Sequence, residues 1–146
     1  MTLTTTRSVG IDGWVHKPFV CDPDTLAGHP ACHGFEFTVI CTLDGAHGGP
    51  QRYHGVPLAP LIERAAPAFE QRTDFKRVIV VAEGIDGYRA VFSWAEIFNT
   101  DVGGGVVLAW EDEHPESPFA LVSRHDHATG PRFVRGLRTV SVVKLW

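Results

Sequence analysis

Apolar and polar positions alternate along Phe35-Glu36-Phe37-Thr38-Val39-Ile40-Cys41-Thr42, which places Phe35, Phe37, Val39 and Cys41 on one face and Glu36, Thr38, Ile40 and Thr42 on the other. A period of two predicts a half-buried strand with Cys41 leaning inward at its end. The next stretch, Leu43-Asp44-Gly45-Ala46-His47-Gly48-Gly49-Pro50, reads as a flexible, glycine-rich loop carrying an imidazole. The period then changes. Leu58, Leu61, Ile62 and Ala65 recur at i, i+3, i+4 and i+7, so the pattern predicts a helix over 57–66 whose single apolar stripe packs on a sheet.

Strand-like runs dominate the remainder. The segment from Gly10 to Val20 reads as a short strand, a turn and a Pro-limited edge. Asp22-Pro23 followed by Gly28 reads as one helical turn, with Asp22 as N-cap and Gly28 as the stop. Residues 77–82 and 88–93 form a predicted hairpin around Glu83-Gly84-Ile85-Asp86-Gly87. Ser93 and Glu96 have the spacing of a capping box and open a short helix. Residues 106–110, 119–123 and 139–145 complete the strands. Many short strands and few short helices predict an α+β, β-rich fold rather than an alternating doubly wound sheet. A length of 146 residues suits one domain over 1–146, with residues 1–8 expected to be disordered.

Charge and cysteine content narrow the function. A formal net charge of −4, from 13 Lys+Arg and 17 Asp+Glu, argues against a nonspecific nucleic-acid binder. No segment approaches the ~18 apolar residues of a membrane span, and the first residues lack a signal-peptide run, so a cytoplasmic protein is expected. Three cysteines, Cys21, Cys32 and Cys41, favour free thiols or metal ligands over a disulfide framework.

Candidate chemistry gathers at a few residues. His125 and His127, two apart, point the same way on an extended segment and can chelate one metal. Should that loop fold toward Cys41, His125 and His127 with Cys41 or His47 would form a mixed nitrogen and sulfur site for zinc, iron or copper, with an open position for a substrate. Two solvated loop histidines are the plainer reading. Cys41 with His47 is a candidate thiolate–imidazole pair for metal-free chemistry. Arg89, Arg132 and Arg135 are the best candidate anion binders, because a guanidinium offers planar paired donors. The His29-Pro30-Ala31-Cys32-His33 cluster fits no zinc-finger spacing, Asp86-Gly87-Tyr88 suits a turn, and Glu111-Asp112-Glu113-His114-Pro115-Glu116 reads as a solvated loop.

Four segments, in order, resemble the molybdopterin-binding domain of the sulfite oxidase family, particularly its short single-domain relatives. They are 11–18 (Ile-Asp-Gly-Trp-Val-His-Lys-Pro), 53–62 with its Gly55-Val56-Pro57-Leu58 turn, 86–97 with Asp86-Gly87-Tyr88, and 132–140 with Arg132 and Arg135. The resemblance implies a curved mixed sheet with few short helices. It also implies Cys41 as the thiolate ligand of a molybdenum–pterin cofactor whose phosphate is held by basic and polar loops. The loop after Cys41 is short, and the arginine-bearing segments with which full-length catalytic members enclose the pterin are not found here. The expectation is a small-molecule enzyme with metal-dependent or oxidoreductive chemistry, acting on a small polar or anionic molecule. Its pocket would be bounded by strand 35–42, the His47 loop and the His125–His127 loop, with Cys41 and His47 catalytic. The alternatives are a cofactor-free ligand-binding or scaffold domain with a decayed site, and a metal-free acid–base lyase, isomerase or hydrolase.

Overall fold

The structure is a computed structural model that describes residues 7–146. Its elements are β1 (Val9–Gly13), β2 (Phe19–Cys21), α1 (Pro23–Ala27), β3 (His33–Cys41), β4 (Gly45–Pro57), α2 (Leu58–Arg64), β5 (Val78–Gly84), β6 (Arg89–Ser93), α3 (Trp94–Phe98), β7 (Val106–Glu111), β8 (Ala120–Ser123) and β9 (Leu137–Lys144). The strands form a five-stranded sheet in the order β2-β1-β9-β5-β6 and a four-stranded sheet in the order β3-β4-β7-β8. The first is mixed, because β1 runs parallel to β9 while the other pairs are antiparallel. The fold is thus β-rich with few helices, as the pattern of runs predicts, but the strands divide between two sheets.

Local signals place most elements. Asp22 caps α1 by accepting the Thr25 amide at 2.8 Å. The α3 capping box is complete: the Glu96 amide donates to Ser93 Oγ at 3.0 Å and the Ser93 amide donates to Glu96 Oε1 at 2.9 Å. In α2, Leu58, Leu61 and Ile62 are buried as the stripe requires. That helix ends sooner than predicted, because Ala66 takes a left-handed φ of 56° and its carbonyl accepts the His16 amide at 2.7 Å. A seven-residue helix is too short to persist alone; burying those side chains, about 1.5–3 kcal/mol each, holds it. One apolar cluster unites Val9, Ile11, Val80 and Val140 of the first sheet, Val56, Leu108 and Leu121 of the second, and the α2 stripe.

Two expectations change. The stretch read as a flexible loop is the start of β4, which pairs Cys41 with Gly45 and Val39 with His47. Gly45 (φ 73°) closes the turn, and Gly48 (φ 75°) with Gly49 fills the register shift between the Val39–His47 and Phe37–Gln51 pairs. Backbone pairing alone makes this half of β4 a strand; β7 joins it only from Tyr53 onward, which leaves residues 45–52 exposed and loop-like in composition. Of the segment expected to be disordered, residues 1–6 lie outside the described residues. Arg7 is anchored, donating to the Pro115 and Ser117 carbonyls and lying over Phe119. Among the described residues, no helix is long and apolar enough to cross a membrane.

Candidate functional site

The second sheet is apolar on both faces. Away from the main core, Phe35, Phe37, Tyr53, Val107, Ala109 and Val122 form a smaller cluster, with Val39 and Phe133 packed on it. Strand pairing sets this row: Phe35 lies opposite Tyr53, and Tyr53 opposite Glu111, so all three share a face. Tyr53 stacks on Phe35 at 5.9 Å and meets Phe37 edge-on at 5.9 Å. Phe133 reaches over from the segment before β9, its ring 5.5 Å from that of Phe37.

Between these rings and the β5–β6 turn lies a cleft of about 590 Å³. Phe37, Tyr53 and Phe133 give it flat apolar surface, while His47, Asp86, Glu111 and Arg135 supply its ionisable groups. Tyr53 is only 6% exposed, yet its hydroxyl makes no hydrogen bond among the described residues. Burial pushes the Tyr53 phenol up, Glu111 adds to that and Arg135 opposes it, so the group remains an O–H donor at neutral pH. Arg135 lies over Phe133 at 5.3 Å. The turn is fixed by the Tyr88 amide donating to Asp86 Oδ1 at 3.0 Å, the Ile85 amide donating to the Gly136 carbonyl at 2.8 Å, and the Tyr88 hydroxyl donating to Pro131.

The sequence-predicted residues fall in different places. His47 and Arg135 line the cleft. Cys41 shares the face of Val39 and His47 but stands one pleat beyond the lining, half-buried, where its Sγ would be 3.3 Å from a Cβ at Gly130. The anticipated Cys41–His47 pair makes no hydrogen bond among the described residues, because Cys41 sits opposite Gly45 while His47 sits opposite Val39. His47 Nε2 instead lies 3.7 Å from Asp44.

The expected metal centre of Cys41, His125 and His127 is corrected too. Among the described residues, no group of three or more His, Cys, Asp or Glu side chains is placed to hold a metal ion. The reason lies in how the loop after β8 is stitched. His125 turns to the Asp101 carbonyl, 2.6 Å from its Nδ1, and packs on Gly105, whereas His127 is exposed. Arg124 lies over Phe35 of β3 at 4.4 Å, and Thr129 and Gly130 hydrogen-bond to that strand. The Ile40 amide donates to Thr129 Oγ1 at 2.8 Å, that hydroxyl donates to the Thr38 carbonyl at 2.6 Å, and the Gly130 amide donates to the Ile40 carbonyl at 2.8 Å. The cleft is therefore bounded by the β5–β6 turn and residues 133–136, not by the His125–His127 loop.

Arg132 is also not available as an anion binder. It donates twice to Asp126, at 2.9 and 2.7 Å, and once to Glu96, at 3.0 Å, with its guanidinium over Phe92. Sequence reasoning missed Tyr53 and Phe133, and it assigned Glu111 to a solvated loop. The Gln51-Tyr53 alternation was the available signal, hidden because the glycines before it do not read as strand. Two other histidines have local roles: the His29 ring accepts the Ala31 amide at 3.0 Å, and His54 sits 3.0 Å from Asp112 and stacks on Trp110.

Comparison with family models and with curated proteins gives no match. Among solved structures, the chain is similar to the sulfane dehydrogenase SoxCD from Paracoccus pantotrophus, with a TM-score of 0.61 and 18% identity. The match covers 97% of this chain and 40% of that one. At this identity the likeness speaks to the fold alone, a β-rich one with few helices.

The residues present do not fit the molybdenum–pterin cofactor that the resemblance of the four segments implies. A thiolate-bound molybdenum–pterin group needs its cysteine open to the cavity and several cations around its phosphate. Here Cys41 lies outside the lining against Gly130, Arg132 is tied to two carboxylates, and Arg135 shares its cleft with Asp86 and Glu111.

Proposed function

We propose that this chain, of oxidoreductase-like fold, takes a small molecule in the Tyr53–Arg135 cleft: a flat apolar body over Phe37 and Phe133, and an anionic group on Arg135. The carrying observation is Tyr53, whose ring is buried in the wall while its hydroxyl, hydrogen-bonded to no described residue, opens on the cleft. That hydroxyl can exchange water for a ligand acceptor, a net gain of about 0.5–1.5 kcal/mol. The cleft also has the size and the mix of aromatic wall and few polar groups usual for small-molecule sites.

Titration calorimetry with a panel of aromatic carboxylates and amino acids tests this reading. Arg135→Gln should weaken binding at least about tenfold, and Tyr53→Phe by a smaller factor of about five, with circular dichroism unchanged. Equal affinity in Arg135→Gln and the parent chain would remove the proposal.

A second reading, acid–base turnover of the bound molecule, is favoured by the presence of two proton-carrying groups, His47 and Tyr53, on one cleft. In it Asp44, 3.7 Å from His47 Nε2, orients the imidazole, and the Tyr53 hydroxyl donates to the ligand. His47→Gln should then abolish turnover while leaving the affinity of the parent chain.

A further inference from the structure

The charges of the cleft are not balanced for a simple anion. One guanidinium, Arg135, shares the lining with two carboxylates, Asp86 and Glu111. Asp86 is partly committed, since its Oδ1 accepts the Tyr88 amide at 3.0 Å. Glu111 makes no hydrogen bond or ion pair among the described residues, and neither does Arg135, whose contact is with the Phe133 ring. The two nevertheless face one cleft and act on one hydroxyl, that of Tyr53, in opposite senses. They are kept apart by their mounting. Glu111 ends β7 directly opposite Tyr53, and Arg135 sits on the segment leading into β9 of the other sheet.

Two opposite charges that line a cleft without bridging it suit a ligand carrying both complements. We infer that the molecule bound here is a zwitterion of amino-acid type with a flat apolar side group: its carboxylate on Arg135, its ammonium on Glu111, and its ring against Phe37 and Phe133. The Tyr53 hydroxyl, on the same cleft, donates to the carboxylate. The inference rests on the cleft reading above and specifies its substrate class. Without the ammonium, an aromatic acid meets two carboxylates and one guanidinium; without the carboxylate, an aromatic amine leaves Arg135 without its partner.

Calorimetry with phenylalanine, 3-phenylpropionate and 2-phenylethylamine separates the two levels of the argument. Phenylalanine should bind at least about tenfold more tightly than either analogue, the effect of one charge-assisted contact. Glu111→Gln should remove its advantage over 3-phenylpropionate, and Glu111→Asp, which keeps the charge, should retain part of it. Similar binding of phenylalanine and 3-phenylpropionate, both weakened by Arg135→Gln, would overturn the zwitterion and leave the cleft reading standing. Binding of none of the three, or binding indifferent to Arg135→Gln, would overturn both. Circular dichroism of each variant excludes misfolding as the cause of a loss.

Discussion

Arg132 makes three charge-assisted hydrogen bonds at once, two to Asp126 and one to Glu96, over the face of Phe92. The cluster is largely screened from water, with Arg132 at 21% and Asp126 at 13% side-chain exposure. Arg132→Met would leave two carboxylates facing each other unpaired, and urea unfolding should register a loss of about 2–3 kcal/mol. Arg132→Lys should restore only part, since an ammonium cannot fork to Asp126 while reaching Glu96. The pH dependence follows. Burial pushes Glu96 up, but the Ser93 amide and Arg132 outweigh it and hold the carboxyl below its ordinary range. A depressed carboxylate stabilises the fold above its unfolded value, and that contribution fades as pH falls through the folded one. The acid limb of the stability profile should therefore be shallower in Arg132→Met.

The cysteines differ just as sharply in setting. Burial pushes the Cys21 thiol up to about 11, against a small opposing effect of Arg64, and Asp22 adds to the rise. Cys41 is half-buried at the end of β3. A thiol reagent applied to the folded protein should therefore label Cys41 and spare Cys21 until denaturant is added. Labelling of Cys21 first would contradict this packing. Cys41 was legible as a strand-end thiol; its place just outside the cleft was not, since one pleat more or less leaves no mark in the alternation.

Among the elements, β4 joins two environments. Its first half pairs only with β3, and its second half is clamped between β3 and β7. Gly55 lies in the clamped half, where an added Cβ would stand 2.5 Å from Val107 Cγ1 and 2.7 Å from the Leu108 carbonyl. Gly49 lies in the free half with nothing within 4 Å. Gly55→Ala should cost about 2–3 kcal/mol in thermal or urea unfolding and Gly49→Ala less than about 0.5 kcal/mol. The contrast explains what could be read of this element. Short-range signals such as the α1 cap, the α3 capping box and the α2 stripe are written within a few residues and were recovered. A strand held by long-range pairing, with glycines and exposed polar residues, has no local signature of its own.

For the whole molecule, β9 is the central tie. It lies between β1, which it meets in parallel, and β5, and it contributes Leu137, Val140 and Val142 to the buried set. Removing residues 137–146 would expose two strand edges and forfeit about 6 kcal/mol of apolar burial, comparable with the whole stability of a small domain. Such a truncation should lose its cooperative thermal transition by circular dichroism.

The sequence by itself determined the alternation of Phe35 and Phe37, the helix stripe, the caps, the hairpin around Asp86 and hence a β-rich α+β fold, because each depends on neighbours within about ten residues. Tertiary structure alone decided that the strands form two sheets and that His125 and His127 turn away from Cys41. It also set Arg132 on Asp126 and Glu96, and gathered Tyr53, Glu111, Phe133 and Arg135 around one cleft. These groups stand far apart along the chain, and which of them meet depends on strand register and on where each charge finds its nearest partner.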